Sequence, residues 1–94
     1  MIVIGKKLIF DYLKRYANAK CSFEMWVAEV ERADWKAPKD IKTRYSTASF
    51  LHNNLVVFNI KGNSYRLVVI VLYEESVVRI KWIGTHSEYE KKRF

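Results

Sequence analysis

Three apolar segments in the second half of the chain constrain the fold more than any other feature of the sequence. Leu55–Ile60, Tyr65–Tyr73 and Val77–Ile83 are rich in β-branched and aromatic residues, which are typical of strands. The stretches between them, Lys61–Ser64 and Glu74–Ser76, are short and polar, as hairpin turns are. The pattern predicts three consecutive strands joined as an antiparallel meander.

In the first half of the chain, apolar residues recur instead at the spacing of an amphipathic helix. After a short predicted strand at Met1–Ile4, two apolar stripes recur at helical spacing, with Ser22 as the candidate N-cap of the second. The first stripe consists of Leu8, Ile9, Tyr12, Leu13 and Tyr16, and the second of Phe23, Trp26, Val27 and Val30. Two such helices predict a hairpin that covers one face of the sheet.

A third, shorter helix is predicted to begin at Pro38 and to run to about Tyr45, because proline is favoured at the first helical position. A further short strand is predicted at Ala48–Leu51. A chain of 94 residues corresponds to one domain with one modest core. We therefore predict a single α+β domain over residues 1–94, in which an N-terminal helical hairpin and a short third helix pack on a mainly antiparallel sheet.

The lengths of the two turns set the register of the meander. A four-residue first loop places Asn59 opposite Arg66, and a two-residue second turn places Arg66 opposite Ile83 and Val68 opposite Lys81. Since side chains alternate between faces, one face is uncharged and is predicted to meet the core, while partial cover by the C-terminal segment is predicted for the other. The predicted core face consists of Tyr65, Leu67, Val69, Val71, Tyr73, Val78, Ile80 and Trp82, and the opposite face of Asn59, Arg66, Val68, Ile70, Arg79 and Lys81.

A short C-terminal helix is predicted directly after the third strand. Thr85 followed three residues later by Glu88 is a capping-box pattern, so His86 is expected at the first helical position. The predicted register brings this helix start to the end of the sheet that holds the polar residues of the second face. A cation, an amide, an imidazole, a phenol and a carboxylate therefore converge beside a helix N-terminus, which favours phosphate: Arg66, Asn59, His86, Tyr89 and Glu90.

The formal charge of +7, spread over both halves of the chain, indicates a folded surface that meets a polyanion such as nucleic acid. An anionic membrane, an acidic partner, or a basic protein with no such partner are the alternatives. Cations that contact RNA phosphates supply affinity without reading sequence. The residues predicted to do so are Lys36, Lys39, Lys42, Arg44, Lys61, Arg79, Lys81, Lys91 and Lys92.

The candidate site residues also have structural explanations. Arg66 lies in an apolar strand and requires a polar partner or a ligand, and the structural alternative is an ion pair with Glu88 or Glu90. A lone histidine such as His86 is often a surface or capping residue. Tyr89 is also compatible with a place in the core. For Arg79 and Lys81, the alternative is protection of an edge strand against aggregation.

Several other classes of protein are disfavoured by the sequence. The single cysteine, Cys21, has no internal disulfide partner, and a reducing cytoplasm is the expected compartment. The longest apolar run, Leu67–Tyr73, is far shorter than the ~20 residues that span a bilayer, and the first residues do not resemble a signal peptide. His52, His86 and one cysteine do not match metal-ligand spacing, so neither a metal nor a cofactor is expected.

Three segments of the sequence resemble HigB-type toxins of bacterial toxin–antitoxin systems, a branch of the RelE/ParE superfamily. They are "ADWKAPKDIKTRY", "HNNLVVFNIKGNSYRLVV" and "GTHSEYEK", and the resemblance covers about Ala33 to Lys91. It implies a small RelE-like α+β domain that cuts messenger RNA, usually in the decoding site of a translating ribosome. It also implies a partner, a helix-turn-helix antitoxin of the HigA type, which neutralises the toxin.

Matched position by position, the active-site segments of this family fall on Asn59, Arg66, His86 and Tyr89. Two positions depart from the family pattern. Leu55 stands where an arginine is expected, which removes a cation from the first strand of the meander. Glu90 stands where aspartate is common and is one methylene longer.

The resemblance implies a metal-free reaction in which the ribose 2′-OH attacks the neighbouring phosphorus. In this reaction Arg66 is expected to stabilise the phosphorane and His86 to act as base or acid. Tyr89 is expected to orient the substrate or stack on a base, and Asn59 to hold the phosphate or the 2′-OH. One alternative is a basic toxin that inhibits a target such as DNA gyrase without cutting it. Another is a binder of single-stranded RNA that uses exposed aromatics, disfavoured by the prediction that the sheet's aromatics face the core.

Overall fold

A computed structural model describes residues 1–94 as a five-stranded sheet with helices packed against it. The strands are β1 (Ile2–Ile4), β2 (Ser49–Phe50), β3 (Leu55–Ile60), β4 (Tyr65–Leu72) and β5 (Val77–Thr85), and the helices are α1 (Lys6–Leu13), α2 (Lys20–Arg32), α3 (Pro38–Arg44) and α4 (His86–Glu90). The strand order is β1-β5-β4-β3-β2. Only the β1–β5 pair is parallel, so the predicted α+β class and mainly antiparallel sheet are confirmed.

The main core lies between one face of the sheet and helices α1, α2 and α3. Trp26 of α2 meets Phe58 of β3 edge to face, with ring centroids 5.3 Å apart, and both side chains are almost fully buried. Ile41 of α3 is fully buried in the same cluster. We call this side of the sheet the helix-covered face and the opposite side the outer face. None of the four helices is long and apolar enough to cross a membrane.

Two details of the predicted helices are wrong. Leu8 was expected on the buried stripe of α1, but it is 41% exposed. The buried residues of this helix are Ile9 and Leu13, and Tyr12 packs partly buried against the same core. Ser22 was expected to cap α2, but this helix begins at Lys20. A 3₁₀ turn over Ala17–Ala19 runs directly into it, so the chain has no break at which a serine cap is needed. The predicted helix start at Pro38 is confirmed.

The predicted register is confirmed between β3 and β4 and is wrong in the second half of β5. Asn59 pairs with Arg66 across the four-residue loop, as expected. Along β5 the predicted pairing holds up to Ile80, after which the register shifts by one residue at a bulge. Lys81 is the extra residue of this bulge. Arg66 therefore lies opposite Gly84 instead of Ile83, and Val68 opposite Trp82 instead of Lys81.

The bulge moves Trp82 to the outer face, although it was predicted on the core face. A bulge reverses the alternation of all the residues that follow it. Trp82 packs there on Val68 in a small apolar cluster, and its ring centroid lies 6.2 Å from that of Tyr89 and 5.7 Å from that of Phe94. The predicted partial cover of this face by the C-terminal segment is confirmed. The prediction that the sheet's aromatics all face the core, which disfavoured a binder of single-stranded RNA, is therefore wrong for Trp82.

Gly84 is required by the position of the Trp82 ring. A Cβ atom at residue 84 would lie 2.7 Å from Cζ2 of Trp82, closer than carbon atoms approach. We therefore expect Gly84→Ala to destabilise the fold by about 1–3 kcal/mol, the usual effect of overpacking. Thermal unfolding measures this change, and the double variant Gly84→Ala/Trp82→Leu is the control, because it removes the ring that the new methyl meets. An unchanged melting temperature in the single variant contradicts this explanation.

Candidate active site

The end of the sheet where β4 begins and β5 ends brings a guanidinium and an imidazole into contact. One terminal nitrogen (Nη2) of Arg66 lies 2.6 Å from Nδ1 of His86. The backbone N–H of His86 donates to the carbonyl of Ser64 at 3.0 Å, which fixes the start of α4 against the β3–β4 loop. Two residues that are 20 positions apart in the sequence are thus held together by the strand pairing and by this one backbone bond.

The start of α4 is stabilised by its own capping box. The Thr85 hydroxyl accepts from the backbone N–H of Glu88 at 3.2 Å, and the Glu88 carboxylate accepts from the backbone N–H of Thr85 at 2.8 Å. The predicted cap is therefore confirmed. These two bonds orient the first turn of the helix, and with it the imidazole of His86, towards Arg66.

Arg66 is a buried cation whose hydrogen-bond partners are all neutral. Its side chain is 7% exposed. Nη2 donates to the side-chain oxygen of Asn63 at 2.7 Å, and Nη1 donates to the carbonyls of Asn63 and Tyr65 at 3.2 and 3.1 Å. The ion pair with Glu88 or Glu90, offered above as the structural alternative, is not formed. A buried charge without a counter-charge is costly, and this site is therefore suited to an anion.

The contact with Arg66 also defines the tautomer of the neutral His86 ring. A guanidinium has only donors, so Nδ1 must accept, and the proton of the neutral ring lies on Nε2. That nitrogen is 3.3 Å from Oε1 of Glu90, one helical turn further on. Arg66, His86 and Glu90 thus form a continuous row of cation, imidazole and carboxylate. The imidazole side chain is 42% exposed and the carboxylate 64%, so the row is open to solvent at its Glu90 end.

Asn59 and Tyr89, the other two predicted catalytic residues, are neighbours of this pair but are not bonded to it. Asn59 shares the outer face with Arg66, and its amide donates to the carbonyl of Thr47 at 3.3 Å. Tyr89 stacks on Phe94, with ring centroids 6.0 Å apart and planes 17° from parallel. The structure therefore places Asn59 beside Arg66 at one end of the outer face and Tyr89 on the apolar cluster of the same face. Only Arg66 and His86 are in direct contact.

Four of the nine cations predicted to bind RNA have partners within the protein. Lys42 and Lys61 donate to the carbonyls of Ala48 and Asn18. Lys36 and Arg44 pair with Asp34 and Glu29 at 3.1 and 2.6 Å. The other five are exposed and form no ion pair or side-chain hydrogen bond: Lys39, Arg79, Lys81, Lys91 and Lys92.

Arg44 belongs to a small network on the helix-covered side. Its partner Glu29 also accepts from the hydroxyl of Tyr45 at 3.1 Å. Burial, together with this hydrogen bond to a carboxylate, raises the pKa of Tyr45 to about 12. The phenol therefore remains protonated and continues to donate to Glu29 throughout the neutral range, and Arg44 is held beside α2.

Asn63 was missed by the sequence-based prediction. It lies in the loop three residues before Arg66 and supplies two of the acceptors that hold the guanidinium. The available signal in the sequence was the side-chain amide of Asn63, which lies in the loop just before the strand that contains Arg66. No three His, Cys, Asp or Glu side chains gather closely enough to hold a metal ion.

Comparison with known families gives a match over most of the chain. Residues 19–92 match the family described as HigB_toxin, the RelE-like toxic component of a toxin–antitoxin system. The matched region contains the loop, both strands and the helix that build the Arg66–His86 pair.

Curated relatives give the same assignment at modest identity. The chain is 27% identical over 92 residues to the mRNA interferase toxin HigB of Escherichia coli K12 and to the mRNA interferase HigB of Shigella flexneri, covering 96% of this chain and 88% of each relative. It is 20% identical over 93 residues to the mRNA interferase HigB of Escherichia coli O6:H1, covering 97% of this chain and 90% of that relative.

Proposed function

This chain belongs to the HigB family of RelE-like toxins, and from that premise we propose that it is an mRNA interferase whose cleavage site is built on Arg66 and His86. The single observation that supports this site best is the buried guanidinium of Arg66, which has neutral partners only and lies 2.6 Å from an imidazole. A phosphodiester supplies the missing negative charge. The protein is therefore an endoribonuclease and the toxic half of a toxin–antitoxin pair.

In the first step, the scissile phosphate takes the place of His86 beside Arg66. All four N–H groups of the two terminal nitrogens are engaged, and one of them is held by the neutral Nδ1 of His86. An anionic oxygen is the stronger acceptor, since charge-assisted hydrogen bonds are about twice as strong as neutral ones. Binding of the phosphate thus satisfies the buried charge and releases the lone pair of Nδ1.

In the second step, the released Nδ1 acts as general base. It takes the proton of the ribose 2′-OH while the 2′-oxygen forms a bond to phosphorus and the bond to the 5′-oxygen of the next nucleotide breaks. The products are a 2′,3′-cyclic phosphate and, once the leaving oxygen is protonated, a 5′-hydroxyl end. Glu90, 3.3 Å from Nε2, keeps the resting proton on that nitrogen and stabilises the imidazolium that forms.

The remaining residues of the site hold the RNA in place. Arg66 stabilises the charge of the pentavalent phosphorane, and Asn63 holds the guanidinium in position for this role. Asn59 is a contact for the phosphate or the 2′-OH, and Tyr89 presents a ring on which a base stacks. The exposed cations of the outer face and of α3 bind neighbouring phosphates.

A second protein and the ribosome complete the proposed setting. The toxin family implies an antitoxin, and we infer that this partner is a helix-turn-helix protein of the HigA type. We also infer that the messenger is cut while bound to a translating ribosome in the cytoplasm. The net charge of +7 is suited to such an RNA-rich target.

Messenger-end mapping tests the proposed function. Purified protein is added to ribosomes translating a defined message, and the new 3′ ends are located and tested for a cyclic phosphate. Discrete internal cuts with cyclic ends are expected from the wild-type protein. Inhibited DNA supercoiling by gyrase with intact messages would instead establish the non-cutting alternative.

A further inference from the structure

We propose that a cavity on the outer face, separate from the Arg66–His86 pair, binds a nucleotide of the same RNA strand, on one side of the scissile phosphate. This inference rests on the proposed function and adds a substrate subsite to it. The cavity has a volume of about 340 Å³, within the usual range for small-ligand sites of ~300–1,000 Å³. Five separate parts of the chain build it: the β2–β3 loop, β3, β4, β5 and the residues after α4.

The floor and one wall of the cavity are apolar. Leu55 and Ile70, which pair across β3 and β4, form the floor, and Leu55 is only 5% exposed. Phe94 forms a wall, and its ring is fixed by stacking on Tyr89. An apolar floor with a fixed aromatic ring is the surface on which a nucleobase stacks, and such stacking tolerates any base.

The rim of the cavity is basic and polar and contains no acidic side chain. Lys81, Arg93 and His52 line it together with Asn53. Lys81 and Arg93 are exposed and form no ion pair or side-chain hydrogen bond. Two free cations above an apolar floor match a ligand with one flat apolar part and one anionic part. Of the polymers that a basic toxin meets, RNA has this combination in every nucleotide.

The cavity and the Arg66–His86 pair lie on the same face of the sheet. Ile70 is four residues from Arg66 along β4, so the two points are ~13 Å apart at the usual rise of a strand. Both side chains point to the outer face, because they are separated by an even number of residues. The bulge places Lys81 beside Trp82 on this face. One RNA strand can therefore contact both sites without turning around the edge of the sheet.

Methyl NMR with an uncleavable RNA tests the subsite. The probe is a hexaribonucleotide with a 2′-O-methyl group at every position, titrated into the full-length protein. The expected result is a shift of the Leu55 and Ile70 methyl signals on binding. We expect Lys81→Ala to weaken binding by about fivefold, as for loss of one exposed charge contact, and Phe94→Leu by about tenfold, as for loss of one stacked base.

Lys20→Ala is the matched control, because Lys20 is an exposed cation at the start of α2, away from the outer face. It removes the same charge and is expected to change the dissociation constant by less than about twofold. Lys81→Ala is also expected to reduce the slope of log affinity against log salt by about 0.7, the contribution of one phosphate in single-stranded RNA, and Lys20→Ala is not.

The test separates the subsite from the proposed function. If the Leu55 and Ile70 signals do not move and the shifts are confined to the Arg66–His86 end, the proposed subsite is wrong. The proposed RNA cleavage is not affected by that result. Equal effects of Lys81→Ala and Lys20→Ala on affinity also overturn the subsite. Absence of messenger cutting by the wild-type protein counts against the proposed function alone, since the titration does not depend on cleavage. Thermal unfolding of the Phe94→Leu variant verifies that the variant is still folded.

Discussion

Arg66→Ala is expected to lower kcat/KM for messenger cleavage by about 10²–10³-fold, the usual loss when one group that stabilises a charged transition state is removed. The guanidinium is buried, pairs with no carboxylate and touches the proposed base. Without it, nothing in the site neutralises the phosphorane. The measurement is the rate of appearance of new messenger ends at a fixed concentration of translating ribosomes.

The folded state is expected to tolerate this change. All partners of the Arg66 guanidinium are neutral, and Asn63 lies in an exposed loop where water replaces the lost donor. Arg66→Lys tests whether charge alone suffices: we expect it to remain at least about tenfold impaired, because a lysine cannot reproduce the planar fork. Arg32→Ala, an exposed arginine at the end of α2, is the matched control and is expected to cut normally. Cleavage by Arg66→Ala within a few fold of wild type excludes the proposed role.

His86→Ala is expected to reduce kcat by about 10²–10⁴-fold, the typical contribution of general acid–base catalysis, with little change in ribosome binding. His86→Asn separates a base from a residue that only holds Arg66. The asparagine side-chain oxygen can accept from the guanidinium, as Nδ1 does in the structure, but it cannot take up a proton. We therefore expect the asparagine variant to be as inactive as the alanine variant.

Glu90 supplies an internal comparison for the His86 experiment. Its carboxylate is 64% exposed, so its charge is screened by water and contributes less than a buried partner. We expect Glu90→Gln to reduce kcat by about tenfold, less than either change at His86. Recovery of activity in His86→Asn shows a positioning role for His86, and in that case Glu90→Gln should have no effect on kcat.

The sequence was sufficient to predict the part of the site that depends on short, regular turns. The four-residue loop between β3 and β4 places Asn59 opposite Arg66, and Thr85 with Glu88 forms the expected cap. Both follow from spacing within a few residues. Spacing of this kind is a local property of the chain, and local properties are what a single sequence reports best.

The path of β5 was not predictable in the same way. A bulge is a local break in the strand ladder, and Lys81 carries no side-chain feature that marks it as the extra residue. Gly84 was the available signal, because a glycine inside a strand indicates a bulge or a close approach of another group. In the structure, Gly84 leaves the space that the ring of Trp82 occupies. Arg66 and His86 are in contact despite the one-residue error in the predicted register of β5, because this strand ends at Thr85, two residues later than predicted.

The position of the extra residue, Lys81, in β5 also determines where a residue can be deleted without disrupting the Arg66–His86 pair. If Lys81 were deleted, Ile80 and Trp82 would become sequential neighbours in a regular ladder, and each would keep the face that it has now. The histidine would still arrive beside the arginine. A one-residue gap at this place, between otherwise similar toxins, is therefore neutral for the catalytic geometry, whereas a gap between Ile83 and His86 would rotate the imidazole to the wrong side of the sheet.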